Sequence, residues 1–245
     1  MNYDEAYENI VSKWSEETIA DVNELDIRLS NFRVLFAYNS NAVENPETTL
    51  HDTREIFENG QLTGFTGNIR TVFELQNQKF CYDYLKSRIV DKDPLTPELI
   101  RKIHEILMHG CYDQARFAKG ERPGNYKVHD FVTGDNVGSS PENVAHEIAD
   151  LCDEVSGSDG DPLTTAAYLH LMFESIHPFA DGNGRVGRTI MNYYLMLRDH
   201  PPVIIYNEDK QTYYLGLAVF DKTSQLDGFR EFLKEETVKT WTMKR

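Results

Sequence analysis

His177-Pro178-Phe179-Ala180-Asp181-Gly182-Asn183-Gly184-Arg185-Val186-Gly187-Arg188 joins two helical stretches of different character. Before it, over 162–176, Ala166, Leu169, Phe173 and Ile176 share one helical face, and Ala167, Leu171 and Met172 make the other faces apolar too. A helix apolar on most sides belongs in the middle of a fold. After it, RVGRTIMNYYLML reads as a second helix that stops before Pro201 and Pro202. The junction itself has the chemistry of an anion site. Gly182 and Gly184 let the chain turn sharply and aim backbone N–H groups at a ligand, and the following helix offers its positive end. Arg185 and Arg188, one helical turn apart, add two guanidinium forks suited to phosphate oxygens. Asp181, at the edge of this cradle, suits a divalent cation shared between one carboxylate and substrate phosphates. His177, at the end of a rigid helix, can accept a proton near neutral pH.

The rest of the chain reads mostly as helix. Val22, Leu25, Leu29, Phe32 and Phe36 recur at three- and four-residue steps, which predicts one amphipathic helix within 20–46, carrying on toward Ser40 and Glu44. The loop NGQLTGFTGN leads to a helix over about 69–89. Thr96, Pro97 and Glu98 make a helix start, and Gly110 a stop. YKVHDFVTGDNVGSSP, between 120 and 141, is the one convincing strand signal and predicts a small hairpin. Helices resume over 144–155 and 162–176, and again over about 210–220 and 228–242. The expected class is all-α with one hairpin, an N-terminal helical region (1–60) packing on a core (61–245) in one compact domain.

Twenty-five basic against forty acidic side chains give a formal charge of -15, the wrong sign for a nucleic-acid partner. That charge leaves room for a nucleotide in a small positive pocket. Cys81, Cys111 and Cys152 imply no disulfide framework. The start MNYDEAYENIVSKW lacks a secretory pattern and no stretch is apolar enough for a membrane span, so the reading is a soluble cytoplasmic protein without a membrane partner. His104, His109, His146 and His170 have no ligand-like spacing and read as structural or surface histidines.

HPFADGNGRVGR resembles the Fic-domain signature HPFx[DE]GNGRxxR at every specified position. LTPELIRKIHEILMHG, GNYKVHDFVTG and RTIMNYYLMLRDHPPVIIYNEDKQTYYLGL are similar to the family's early core helix, its flap and its later helices, so the resemblance covers about 95–233. It implies a Fic-type helical bundle that transfers AMP from ATP to a protein hydroxyl. His177 would deprotonate the target and Asp181 would bind Mg²⁺. Gly182, Asn183 and Gly184 would form the anion hole, and Arg185 and Arg188 would hold the outer phosphates. The flap, with Val128, Phe131, Val132, Thr133 and Gly134, would clamp a protein substrate by strand addition. Tyr214 would lie near the adenosine, whereas Asp221 stands where asparagine is expected and Lys127 where the flap begins with arginine.

Ser40, Glu44 and Asn45 match the inhibitory pattern [ST]xxxE[GN] of relatives that restrain themselves from an N-terminal segment. Ser40 and Glu44 are four apart on one helical face, and a carboxylate at that edge needs a partner. Arg188 is the expected one, which would keep it from a phosphate. A hydrolase that removes AMP with Glu44 aligning water is the alternative enzyme, and a regulator that binds nucleotide without turnover is a third reading. His177 and Asp181 argue against the last, since a pure binder needs neither base nor metal acid. A homo-oligomer is compatible with the resemblance.

Overall fold

The computed structural model describes residues 3–130 and 138–243. Its ordered elements are α1 (Tyr3–Glu16), α2 (Val22–Arg28), α3 (Phe32–Ala42), α4 (Leu50–Asn59), α5 (Ile69–Val90), α6 (Pro97–Leu107), α7 (Gln114–Ala118), α8 (Pro141–Ser156), α9 (Pro162–Ile176), α10 (Asn183–Leu197), α11 (Lys210–Thr223) and α12 (Asp227–Thr242). Among the described residues there is no β-strand.

The centre is the antiparallel pair α9 and α10. Asp161 caps α9 by accepting the Thr164 N–H at 2.9 Å, Pro162 occupies its first turn, and nine of its side chains are buried. Gly187 lets α10 come close, because a Cβ there would sit 2.7 Å from Glu174 Oε1 and 2.9 Å from His170 Nδ1. Around this pair, α8 and α12 pack on α9, α6 and α5 on α10, and α11 on both α9 and α12. The N-terminal helices join the same core, with α1 against α12 and α3 against α5 and α10.

Two helices replace the single one expected over 20–46. The chain leaves the helix at Leu29-Ser30-Asn31, where Ser and Asn favour turns over helix interiors. Arg33 N still donates to Leu29 O (2.9 Å), so Leu25, Leu29 and Phe32 stay buried on one side and the stripe crosses the break unmarked. The hairpin expected between 120 and 141 is not seen. Val128 lies in a bend, and Phe131, Val132, Thr133 and Gly134 fall outside the described residues. Lys127 N donates to Pro178 O and Ser139 N to Ile176 O, each at 2.9 Å, so this segment is tied at both ends to the α9–α10 junction.

Helix α1 is held by aromatic packing: Trp14 is 5% exposed and meets Trp241 of α12 edge-on, with centroids 5.1 Å apart. Trp14→Ala should cost about 3–5 kcal/mol in a denaturant titration. A change within about 0.5 kcal/mol, as for an ordinary surface position, would mean that α1 is not docked there.

Candidate active site

The α9–α10 junction forms one wall of a cleft of about 1230 Å³. His177 ends α9 in a left-handed conformation (φ 51°, ψ 62°), an uncommon backbone for a residue with a side chain, and its N–H donates to Phe173 O at 3.0 Å. Gly182 (φ 85°) opens α10, and a Cβ there would run into the Met108 side chain. The first helical bond, Val186 N to Gly182 O (3.1 Å), leaves the N–H groups of Asn183, Gly184 and Arg185 without helical acceptors at the positive end of α10.

Two polar clasps stiffen the junction. Asn183 Oδ1 accepts from Phe179 N (3.0 Å) and its Nδ2 donates to Phe179 O (2.8 Å). His104 of α6 stacks on the Phe179 ring at 3.7 Å. Its Nδ1 accepts from Gly124 N (2.8 Å), which leaves Nε2–H to donate to Asp181 O (3.0 Å). Burial pushes the His104 imidazole down to about 3, so it stays neutral in this role.

At one end of the cleft Arg188 is buried, with 1% exposure. Nε donates to Ser40 Oγ (3.1 Å), Nη2 to Ser40 O (2.7 Å) and Glu44 Oε1 (2.9 Å), and Nη1 to the Tyr213 hydroxyl (3.2 Å). The Tyr213 hydroxyl that accepts from Arg188 also lies 3.0 Å from His170 Nε2. Glu174, one turn before His177, also lines the cleft, but burial raises its carboxyl to about 8 and it is neutral at pH 7. Glu44 is the carboxylate at ion-pair distance from Arg188. It lies over the opening of α10, where a Cβ on Gly184 would overlap its carboxylate.

At the other end, guanidiniums surround Asp181. Arg70 Nη2 is 2.9 Å and Arg116 Nη2 3.3 Å from Oδ2, and Arg185 Nη2 is 3.6 Å from Oδ1. Burial would raise this carboxyl, but the three cations outweigh it and hold Asp181 below the usual range. Arg185 also pairs with buried Glu74 at 2.9 Å, which accepts from Arg70 Nε (2.9 Å) and Asn45 Nδ2 (2.9 Å). His177 is pushed down to about 4, first by burial and then by the Lys127 ammonium.

Residues 94–195 match the family model described as Fic/DOC family. The chain belongs to the Fic/DOC family. It is similar to protein adenylyltransferase Fic of Nematostella vectensis, with 32% identity over 186 residues that cover 72% of this chain and 40% of that one. Protein adenylyltransferase fic-1 of Caenorhabditis briggsae is 27% identical over 207 residues, covering 82% of this chain and 38% of its own. The chain thus spans about 40% of the length of these curated relatives. The crystal structure of a Fic domain containing signaling protein from Bacteroides thetaiotaomicron shares the fold, with a TM-score of 0.81 at 24% identity and coverage of 96% of this chain and 93% of that one.

The Fic junction gathers His177, Asp181, Gly182, Asn183, Gly184 and Arg185 on one cleft, and Tyr214 and Asp221 of α11 line its far wall. Glu44 and Asn45, just past the end of α3, line it as well, while Ser40 of α3 is tied to it through Arg188. The Asn183 side chain is spent on Phe179, so what it offers an anion is its backbone N–H. Arg188 is paired with Glu44, and Arg185 is paired with Glu74, a partner that the sequence reading did not name. Sequence reading missed Arg70, Glu74 and Arg116, which come from α5 and α7, far from the motif. Glu74 does carry a signal, a carboxylate at an inward position of α5 beside Leu75, Asn77 and Gln78, all buried.

Among the described residues no group of three or more His, Cys, Asp or Glu side chains converges as a metal cage. The site fits a hard cation that arrives with phosphate oxygens of its own and takes Asp181 as its single protein carboxylate.

Asn183→Ala would leave the buried Phe179 N–H and C=O unpartnered and should cost about 2–4 kcal/mol. Thermal and denaturant unfolding at pH 7 check this, and an unchanged midpoint would show that the clasp does not hold the junction.

Proposed function

We propose that this chain transfers AMP from ATP to a Ser, Thr or Tyr hydroxyl of a protein, and that Glu44 restrains the reaction by holding Arg188. The observation that supports it most is the Arg188 cluster. The arginine that the family resemblance assigns to an outer phosphate of ATP is bonded to Ser40 and Glu44, residues from outside the catalytic junction.

His177 takes the proton of the attacking hydroxyl, and its depressed pKa keeps the imidazole unprotonated at pH 7. The hydroxyl oxygen bonds to the α-phosphorus, the bond from that phosphorus to the bridging oxygen breaks, and pyrophosphate leaves. The N–H groups of Asn183, Gly184 and Arg185 face the charge that builds on the α-phosphate, in fixed positions that need no rearrangement. Arg185 and Arg188 neutralise the outer phosphates once their carboxylates let go. Asp181 would hold Mg²⁺, which supplies charge neutralisation between phosphate groups. Tyr214 and Asp221 offer the base a wall of α11, and the segment from Val128 onward receives the target backbone by strand addition.

Glu44 lies where an outer phosphate has to come to reach Arg188. A nucleotide bound beside it keeps its outer phosphates away from that guanidinium, and the α-phosphorus is not aligned for attack. Restraint is then a matter of one side chain.

Incubation with Mg²⁺ and α-labelled ATP, with intact mass as the readout, tests the assignment. Glu44→Gly should label itself or added lysate protein at least about tenfold faster than wild type, the equivalent of about 1.4 kcal/mol in the barrier, and Glu44→Gly with His177→Ala should not label at all. Equal labelling by wild type and Glu44→Gly would remove the restraint. Removal of AMP from a modified protein that is lost in Glu44→Gly would instead make Glu44 a water-aligning residue.

The His177 environment sets the pH dependence. A histidine depressed to about 4 stays an unprotonated base through pH 5, and activity is lost only as the pH falls through that value. The acid limb of kcat/KM for Glu44→Gly is therefore expected near pH 4–5. A limb at the ordinary histidine value of about 6.5 would contradict the environment described.

A further inference from the structure

Three guanidiniums, those of Arg70, Arg116 and Arg185, share two carboxylates, those of Asp181 and Glu74, at one end of the cleft. The chain as a whole carries a formal charge of -15, so this local excess of positive charge runs against the composition. Arg185 is explained by the family motif. Arg70 on α5 and Arg116 on α7 are not, and nothing in the reaction derived above uses them.

Their geometry is that of ligands held in reserve. Both line the cleft, with side chains 32% and 29% exposed, and both lean on the same Asp181 oxygen. Arg70 spends Nε on Glu74 and Nη2 on Asp181. Arg116 spends Nη1 on Asp113 and Nη2 on Asp181, while its Nε is buried and has no hydrogen-bond partner. One carboxylate oxygen cannot satisfy two guanidiniums as fully as separate phosphate oxygens can. If Asp181 turns to a cation carried by the substrate, each arginine keeps one carboxylate, Glu74 or Asp113, and loses the other at the moment a polyphosphate enters beside it.

We infer that Arg70 and Arg116 are a second pair of phosphate ligands, stored on Asp181 in the nucleotide-free protein and passed to the pyrophosphate end of the substrate. The inference rests on the transfer reading above. It assigns the two arginines to the leaving group: they stabilise charge on the departing pyrophosphate and take no part in holding the α-phosphate, which belongs to the opening of α10. They touch substrate only at that end, so their removal separates two ligands that the active site otherwise binds together.

The experiment is calorimetric binding of inorganic pyrophosphate and, separately, of AMP, with Mg²⁺ present. The proteins are Glu44→Gly and Glu44→Gly carrying Arg116→Gln or Arg70→Gln with Arg116→Gln, with melting temperature and AMP transfer measured alongside. Arg116→Gln leaves the Glu74 pairs untouched, so it keeps the test valid if loss of Arg70 disturbs α5. Pyrophosphate affinity is expected to fall about tenfold with the loss of one charge-assisted contact and further with both, while AMP affinity stays within twofold. Unchanged pyrophosphate affinity would overturn the inference and leave the transfer reading standing, provided Glu44→Gly still transfers AMP. Equal weakening of both ligands would also overturn it, reducing the arginines to supports of Asp181. If Glu44→Gly binds neither ligand and transfers nothing, the transfer reading fails and this inference with it.

Discussion

A guanidinium with 1% exposure has to be paired, and the pairing of Arg188 organises the molecule around it. Its four hydrogen bonds reach the end of α3 with the turn just beyond it, and α11, so two distant parts of the chain meet on one α10 side chain. Glu174 lines the same cleft, but among the described residues it forms no ion pair with Arg188, and burial raises its carboxyl. The charge balance of the cluster falls on Glu44, whose side chain is 37% exposed. A partner that solvent already reaches is one that a competing anion can replace. In the proposed transfer, the same contact that completes the core is the one that substrate has to break.

A second cluster in the cleft repeats the logic with different residues. Asp181 and Glu74 hold Arg70, Arg116 and Arg185, and in the inference drawn above they release Arg70 and Arg116 when a richer anion arrives. Between the two ends the junction does not have to move. Asn183 and His104 fix its backbone, and Gly182 brings it against Met108 with no space for a side chain. Paired cations around a clasped backbone suit the proposed reaction, in which the protein supplies position and charge rather than covalent chemistry.

Much of this was legible in the sequence because it is local. Pro162, Thr96 with Pro97, and Gly110 mark helix ends by their own stereochemistry, and α9 begins and ends where its composition says. The twelve-residue junction carries its chemistry in consecutive residues. What stayed hidden depends on packing between distant segments. The break after Arg28 was missed because the buried stripe crosses it without a change of period. Helix α1 was not read, although Tyr7, Ile10, Val11 and Trp14 recur at helical steps, and α4 was passed over despite its Thr49–Asp52 cap and Gly60. Arg70, Arg116 and Glu74 become neighbours of the junction only once α5 and α7 are folded against it.

The measurement that bears most directly on this account is a pair of crystal structures, of wild type and of Glu44→Gly, each with Mg²⁺ and a non-hydrolysable ATP analogue. In Glu44→Gly the Arg188 guanidinium is expected within hydrogen-bond distance of an outer phosphate, and in wild type it should remain on Glu44 with the analogue's outer phosphates turned elsewhere. An Arg188 that stays away from the phosphates in both structures would contradict the claim that one carboxylate and the substrate compete for one arginine.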